Sequence, residues 1–576
     1  MGIKLPKLKP IRTSTGGVVA FAGLNRNLRR KDNEFAQMQN ITSNNLPVAA
    51  VRDRRRYMRT LEKPNGLFAH DELCWVDGAD FYYGGKLAGQ VTDSLKTFVR
   101  MGARVLIWPD QMMYNSQSGK MEALEAHYSS TGEVCCTLCR ADGTSYGEYT
   151  IGDTAPQKPV NGQYWMDTSA DADVLRQYAQ SAAMWASVPT VYTMIACAGI
   201  GKDFAQYDGV SISGLTDAKL NGDFFIVSRT DDQLVVTALI QAAFTQMQAV
   251  RVERKTPDMD YLCESNNRIW GCAANGHEVY ACALGDPKNW RQYMGLSTDS
   301  YAATVGSSGA FTGVAAHLGS VYFFKSDCVH QIMGTKPANY AVNAMETRGV
   351  GAGNSKSLLV IEERLYFKGE NEVCAFGASM PGTISDALPR MGGHAVGGAL
   401  ASRYYLCVDD AYMSRELLVY DTRNGVWVRE DEVDIMSFAT LDGRLYALRS
   451  NGDLLCMVQG ENPYDGAGAE DEKAVEWALE TGDLGLDEAC SKYISGIQLH
   501  GDVDLGASFC VAIRYDGGGA WNEVFRSSPV TQRSWVLPIV PRRCRTLRLR
   551  LHGVGGMRLY SMVMRTEAGS DVYAIK

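Results

Sequence analysis

A short pattern recurs along the middle of this sequence. A polar or glycine turn leads into an apolar run rich in Tyr, Phe and Trp, then a second turn and a second run. Arg268-Ile269-Trp270-Gly271-Cys272 passes through Asn275-Gly276 to Val279-Tyr280-Ala281, and Val321-Tyr322-Phe323-Phe324 passes through Ser326-Asp327 to Val329-His330-Gln331-Ile332. Leu365-Tyr366-Phe367 leads to Val373-Cys374-Ala375, Tyr404-Tyr405-Leu406 to Leu417-Leu418-Val419-Tyr420, and Leu445-Tyr446-Ala447 to Leu454-Leu455-Cys456. Aligned on Ile269, Val321, Leu365, Tyr405 and Leu445, the steps are 52, 44, 40 and 40 residues. That spacing is the signature of four-stranded propeller blades. One small twisted sheet cannot bury both of its faces, so such units stack on one another. Two earlier units, 71–87 with Leu73-Cys74-Trp75-Val76 and 102–124 with Val105-Leu106-Ile107-Trp108, bring the expectation to six or seven blades. Stacked β-sandwiches also have short strands and turns, but they carry no near-constant step. Turns ending in tryptophan, Asp286-Pro287-Lys288-Asn289-Trp290 and Arg423-Asn424-Gly425-Val426-Trp427, are expected to pack that ring on a neighbouring blade.

The pattern breaks over 126–256 and stops near Gly460. The sequence therefore divides into a basic N-terminal arm or docking segment at 1–63, first blades at 64–125, an inserted β-rich region at 126–256, further blades at 257–460, and a C-terminal β-sandwich at 473–576. The insertion reads as an aromatic hairpin module (Tyr164-Trp165-Met166, Tyr178, Trp185) followed by a small β-barrel or sandwich. Residues 463–472 read as a Gly/Ala/acidic linker, and after it Arg545-Thr546-Leu547-Arg548-Leu549-Arg550-Leu551 alternates strictly, with arginines on one face. The whole is an all-β chain.

Fifteen cysteines, an odd number, sit mostly inside apolar strand patterns, which fits buried free thiols in a reducing compartment. No run approaches the roughly 18 apolar residues of a membrane span, and residues 1–9 have lysines without an apolar core, so synthesis in a cytoplasm is expected. Charge is uneven: residues 1–63 hold fourteen Lys/Arg against four Asp/Glu, a net of +10, so with the chain at −8 the remainder is −18. A basic arm on an acidic body suits contact with nucleic acid or an acidic neighbour.

Motifs for chemistry are weak. Cys136 and Cys139 have C-x-x-C spacing but no second pair to complete a zinc site. Gly199-Ile200-Gly201-Lys202 is followed by Asp203 rather than Ser or Thr, so it is no phosphate loop. The eight histidines are dispersed. The acidic pairs Asp231-Asp232 and Asp409-Asp410 sit beside strands, and a glycosidase would need two carboxylates converging in space. No cofactor, metal or catalytic residue is expected, and a propeller carbohydrase stays as a rival.

Three stretches resemble the β-propeller tail proteins of bacteriophages, the nozzle or tail tubular protein B class that includes packaged-DNA stabilisation proteins. They are the opening Phe21-Ala22-Gly23-Leu24-Asn25-Arg26-Asn27, continuing through Asn33-Glu34-Phe35 and Asn40-Ile41-Thr42 to Arg52-Asp53-Arg54; the turn Gly285-Asp286-Pro287-Lys288-Asn289-Trp290; and the C-terminal stretches Glu480-Thr481-Gly482-Asp483-Leu484 and Leu537-Pro538-Ile539-Val540-Pro541. The resemblance spans most of the chain and brings no catalytic motif. It implies a virion protein, made in the host bacterial cytoplasm, forming a homo-oligomeric ring in the tail with sixfold symmetry as one option. Such a ring would meet other tail or portal-adaptor proteins, line or close the DNA channel, and support DNA retention and ejection. It also implies that Arg29, Arg30, Lys31, Arg54, Arg55 and Arg56 contact packaged DNA nonspecifically or an acidic partner. The alternative role is host-receptor binding at the tail tip through the aromatic module of the insertion.

Overall fold

Each of the seven pattern units is a small antiparallel sheet in the computed structural model, which describes residues 13–169, 171–377, 380–389, 391–409, 414–485, 491–527 and 533–568. The blades span 64–90, 97–123, 261–304, 313–346, 359–383, 395–429 and 435–456, and the first six each have four strands in sequential order. The protein is a β-propeller with seven blades, a β-rich insertion and a C-terminal β-sandwich. The apolar runs are the second strands, covered on both faces: Arg268–Cys272 and Ser320–Phe324 are buried at every position. Several first hairpins turn on residues in the left-handed region, such as Asn266 and Asn267 at φ of 52° and 59°. Asparagine tolerates that conformation better than most side chains, which suits a two-residue hairpin.

The chain groups into two units: Met1–Lys96 with Phe324–Val329 and Met345–Lys576, and Thr97–Phe323 with His330–Ala344. In the first, neighbouring blades share aromatic faces. Tyr366 of one blade stacks on Tyr404 of the next at 5.6 Å, and Leu73 and Trp75 pack with Leu441, Tyr446 and Leu448. Trp427 fulfils the turn expectation: it lies 5.0 Å from Tyr420 and its Nε1 donates to Ile384 O of the adjacent blade. In the second unit, Leu106 and Trp108 share a core with Ile269, Cys282 and Trp290, while Trp270 packs with Val321 and Phe323.

The insertion is an eight-stranded sheet plus a separate four-stranded one. Its first and last strands, Ala126–Ser129 and Arg251–Arg254, pair antiparallel, so both ends of the insertion meet. A buried Arg254–Asp208 ion pair fixes that base, with Arg254 Nε donating to Leu124 O. The aromatic module, Tyr149–Gly152 and Tyr164–Asp167 with Val174–Ala179 and Met184–Ser187, turns Met166 and Leu175 to the core of the larger sheet. Its other face carries Trp165, Tyr178 and Trp185, with ring separations of 5.5 and 5.3 Å.

The first and last parts of the described residues, 13–51 and 476–568, form one module. Phe35–Gln39 pairs with Glu476–Thr481 in a five-stranded sheet. Thr13–Val18 and Ala49–Val51 both pair with Met557–Ala568 in the facing seven-stranded sheet. Between the sheets lie Leu479, Val511, Leu549, Leu551, Ile497 and Leu499. The next strand, Arg56–Thr60, leaves the sandwich and becomes the fourth strand of the last blade, antiparallel to Asp453–Cys456. That blade has only three strands of its own between 435 and 456. The stretch 463–472, read from the sequence as a linker, is instead packed against it. Tyr464 is buried, and Glu470–Asp471 pairs with Arg56–Thr60.

Candidate functional site

The six basic residues singled out in the sequence have different fates. The strand that closes the last blade draws the second cluster against the acidic stretches 430–431 and 465–472. Arg55 is buried and divides its guanidinium: Nη2 donates to Glu430 at 2.6 Å and Nη1 to Asp431 at 2.7 Å. Burial opposes its charge, but the two carboxylates more than offset this and hold its pKa above the usual arginine value. Arg56 donates to Asp465 at 2.6 Å and to Asp471 at 3.1 Å. Arg52, not singled out from the sequence, makes a two-pronged contact with Glu472 at 2.7 and 3.0 Å while its Nε donates to Asn40. Arg54 is exposed and reaches Gln459 at 2.7 Å. The carboxylates respond: burial raises Asp431 and Glu472, yet Arg55 and Arg52 hold both below the ordinary range. Arg55 and Arg56 are therefore engaged within their own chain, whereas the sequence reading had offered them to DNA or a partner.

The first cluster lies on the sandwich. Arg29 and Lys31 are exposed. Arg30 is half-buried, packs over Gly482 and donates Nε to Asn25 O. Burial first, and then the nearby Arg548, hold its pKa below the usual arginine value. Around it the outward arginines of the alternating strand are paired: Arg548 grips Asp483 at 2.7 and 2.9 Å, and Arg550 donates to Glu480 at 2.8 Å. Trp521 lies between two guanidinium groups, 4.5 Å from Arg514 and 4.3 Å from Arg550. No sequence signal marked Trp521, because it is brought to these arginines by strand pairing across the sheet.

Two hollows accompany these elements. One, of about 450 Å³, is lined in the first unit by Arg54, Lys473, Asp504, Gly555 and Arg558. The other, of about 900 Å³ in the second unit, is lined by Arg104, His127, Lys202, Asp208, Arg254 and Asp286. Burial pushes the Asp286 carboxyl up. Among the described residues no group of three or more His, Cys, Asp or Glu is placed to hold a metal. Cys136 and Cys139 lie on one strand, both buried, and burial pushes the Cys136 thiol up to about 12. All fourteen cysteines among the described residues are free. Of the acidic pairs, Asp231 is exposed beside Arg229, Asp232 accepts from Gly199 N, and Asp410 lies outside the described residues. No helix among the described residues is long and apolar enough to cross a membrane.

No protein-family model matches the sequence, and no curated protein does. Among solved structures, the computationally designed Ika8 protein is similar over 70% of this chain and 99% of its own, at 9% identity and a TM-score of 0.32. BamB from Moraxella catarrhalis is similar over 69% of this chain and 97% of its own, at 9% identity and 0.32. An exo-beta-1,3-galactanase from Phanerochaete chrysosporium covers 53% of this chain and 95% of its own, at 8% identity and 0.21. Likenesses this slight carry no argument about activity; the fold assignment rests on the sheets themselves.

Proposed function

We propose that this chain is a structural component of a bacteriophage tail, a ring-forming propeller of the nozzle class that lines or closes a DNA channel. The observation that carries the reading is the union of the two ends. The opening stretch and the C-terminal stretch that resemble that class are neighbours in space, with Phe35–Gln39 hydrogen-bonded to Glu476–Thr481. The third resembling stretch, the 285–290 turn, is a built element whose Trp290 donates to Pro287 O inside a blade core. Homo-oligomerisation and residence in the virion belong to the same proposal. Its test is peptide mass spectrometry on purified particles from the source, with electron microscopy of the purified chain. Peptides present at tail stoichiometry and ring-shaped particles are expected; a chain absent from particles and persistently monomeric would overturn it.

One observation favours the receptor-binding role as a second reading. The aromatic module presents Tyr178 and Trp185 on the face opposite its core contacts, and partly exposed aromatic rings make strong binding anchors. Replacing both by alanine should abolish adsorption of the particle while leaving assembly intact; unchanged adsorption would remove this reading.

A further inference from the structure

The outward face of the aromatic module is built in two layers. Register sets Thr150, Trp165, Arg176 and Ser187 in one row across all four strands, with the Tyr178–Trp185 pair beside it. Trp165 is the lower layer. It is 6% exposed, and its Nε1 donates to Gly152 O at 3.0 Å. Its ring makes an edge contact with Trp185 at 5.5 Å and lies 6.0 Å from the Arg176 guanidinium. The upper layer is half-buried: Tyr178 and Trp185, 5.3 Å apart, and Arg176. Asp167 fixes Arg176 by accepting from its Nε at 2.7 Å, while Nη1 reaches only Ser187 Oγ, at 3.4 Å. Trp185 Nε1 and Tyr178 Oη make no hydrogen bond among the described residues. Two aromatic rings, two unengaged donors and the outer edge of a guanidinium thus stand on one support.

We propose that this face binds a neutral saccharide. A sugar ring carries C–H groups on its faces and hydroxyls around its rim. It can stack on an aromatic ring while its hydroxyls exchange hydrogen bonds with polar groups alongside, and aromatic walls with a few placed polar groups are the make-up of a small-ligand site. Trp185 supplies the stacking ring, and Arg176, the Tyr178 hydroxyl and the Trp185 indole N–H supply the rim contacts. Size argues against a protein partner. Four strands about 4.8 Å apart, each contributing about four residues at about 3.3 Å, make a face of about 250 Å². That is about a third of the ~800 Å² that a stable protein interface takes from each side. Charge argues against nucleic acid or another polyanion. Residues 145–190 hold two Lys/Arg against five Asp/Glu, a net of −3, and Arg176 is already paired with Asp167, so the local field repels phosphate. The inference rests on the receptor-binding reading only for the source of the saccharide, the host cell surface.

The test is an array of neutral hexose and N-acetylhexosamine oligosaccharides probed with the full chain, each hit then titrated in solution by calorimetry. Binding to one or more members, indifferent to salt, is expected. Trp185→Ala should weaken it about tenfold or more, and Trp185→Phe should retain most of it. Because Trp185 also packs within the module, a second variant leaves every aromatic ring in place. Ser187→Glu sets a carboxylate directly opposite Arg176, a cross-strand pairing that suits the sheet, and should weaken binding severalfold by occupying the guanidinium. No binding across the array, binding indifferent to both Trp185→Ala and Ser187→Glu, or binding that salt abolishes overturns the proposal. So does self-association of the chain that Ser187→Glu abolishes, which would make the face a protein interface. The two readings fail separately. Adsorption lost on replacing Tyr178 and Trp185, with no saccharide bound, keeps the receptor role and removes the saccharide. Saccharide bound by the purified chain, with adsorption unchanged, does the reverse.

Discussion

Arg55→Ala tests what closes the last blade. The substitution removes the residue that ties Glu430 and Asp431 to the closing strand by direct 2.6 and 2.7 Å contacts, leaving Arg52 at 3.6 Å from Asp431. Glu430 is 6% exposed, so its charge would be left in a poorly solvated site. Breaking a buried pair from one side costs about 3–5 kcal/mol, far above the ~0–1 kcal/mol of an exposed pair. The strand is also held by Met58, which is fully buried and contributes about 2–3 kcal/mol by burial. The ion pairs and the apolar anchor are therefore of similar size, and loss of either should free the strand locally before the chain unfolds as a whole. A chain of this size has no single two-state melting transition to report the change. Amide hydrogen exchange reads local opening directly, and Leu61 supplies the probe, since its N–H donates to Gly452 O at the end of the strand. At about 1.4 kcal/mol per tenfold, exchange at Leu61 should accelerate about a hundredfold to a few thousandfold. Acceleration below about fivefold, the size of an exposed pair, would refute the claim that these charges hold the strand. Arg55→Met combined with Glu430→Gln and Asp431→Asn should recover most of the loss, because removing a buried pair from both sides is far milder than orphaning one half.

Further outcomes are expected. A Cβ on Gly23 would lie 2.2 Å from Trp427 O, so Gly23→Ala should dislodge the opening segment and speed proteolytic cleavage within 24–34, with a cost of about 1–3 kcal/mol. Asp431, Asp465, Asp471 and Glu472, which hold Arg52, Arg55 and Arg56, have folded pKa values depressed below their unfolded ones. Their contribution is present at neutral pH and is lost as pH falls below about 4. Exchange at Leu61 should therefore quicken in acid, after correction for intrinsic rates, and stay level between pH 6 and 8; a step in that neutral range would contradict the assignment. Arg254→Ala should orphan Asp208, whose side chain is 2% exposed. It should loosen the insertion base, read as faster exchange in Arg251–Arg254 with the blades of the first unit unchanged.

The blades were legible because each is a local object. Two hairpins within about 40 residues produce turn, aromatic run and turn in a fixed order, and the doubly buried second strand leaves a near-continuous apolar run such as Val321-Tyr322-Phe323-Phe324. The alternation of Arg548 and Arg550 with Leu547, Leu549 and Leu551 likewise announced a sheet with one wet face. What stayed hidden is non-local. Arg56–Thr60 pairs with residues almost 400 positions later, and no local pattern distinguishes a strand that closes a distant sheet from one that stands alone. For the same reason the destinations of the arginines could not be read. Arg55 and Arg56 find acids 375 to 415 residues away, while Arg30 finds Asp483 and Arg548 only because Phe35–Gln39 joins that sheet. The stretch 463–472 read as a linker from its glycine, alanine and acidic content, yet that acidity is what matches the closing strand.

The architecture rests on Arg56–Thr60 completing the last blade of its own chain. Thr60, exposed, and Asp453, half-buried, are direct cross-strand partners, and paired strands bring Cα atoms within the span a disulfide requires. Thr60→Cys with Asp453→Cys, oxidised mildly and mapped by non-reducing peptide mass spectrometry, should give a 60–453 link within a single chain. A link found only between chains, or none at all, would contradict the closed blade on which the account is built.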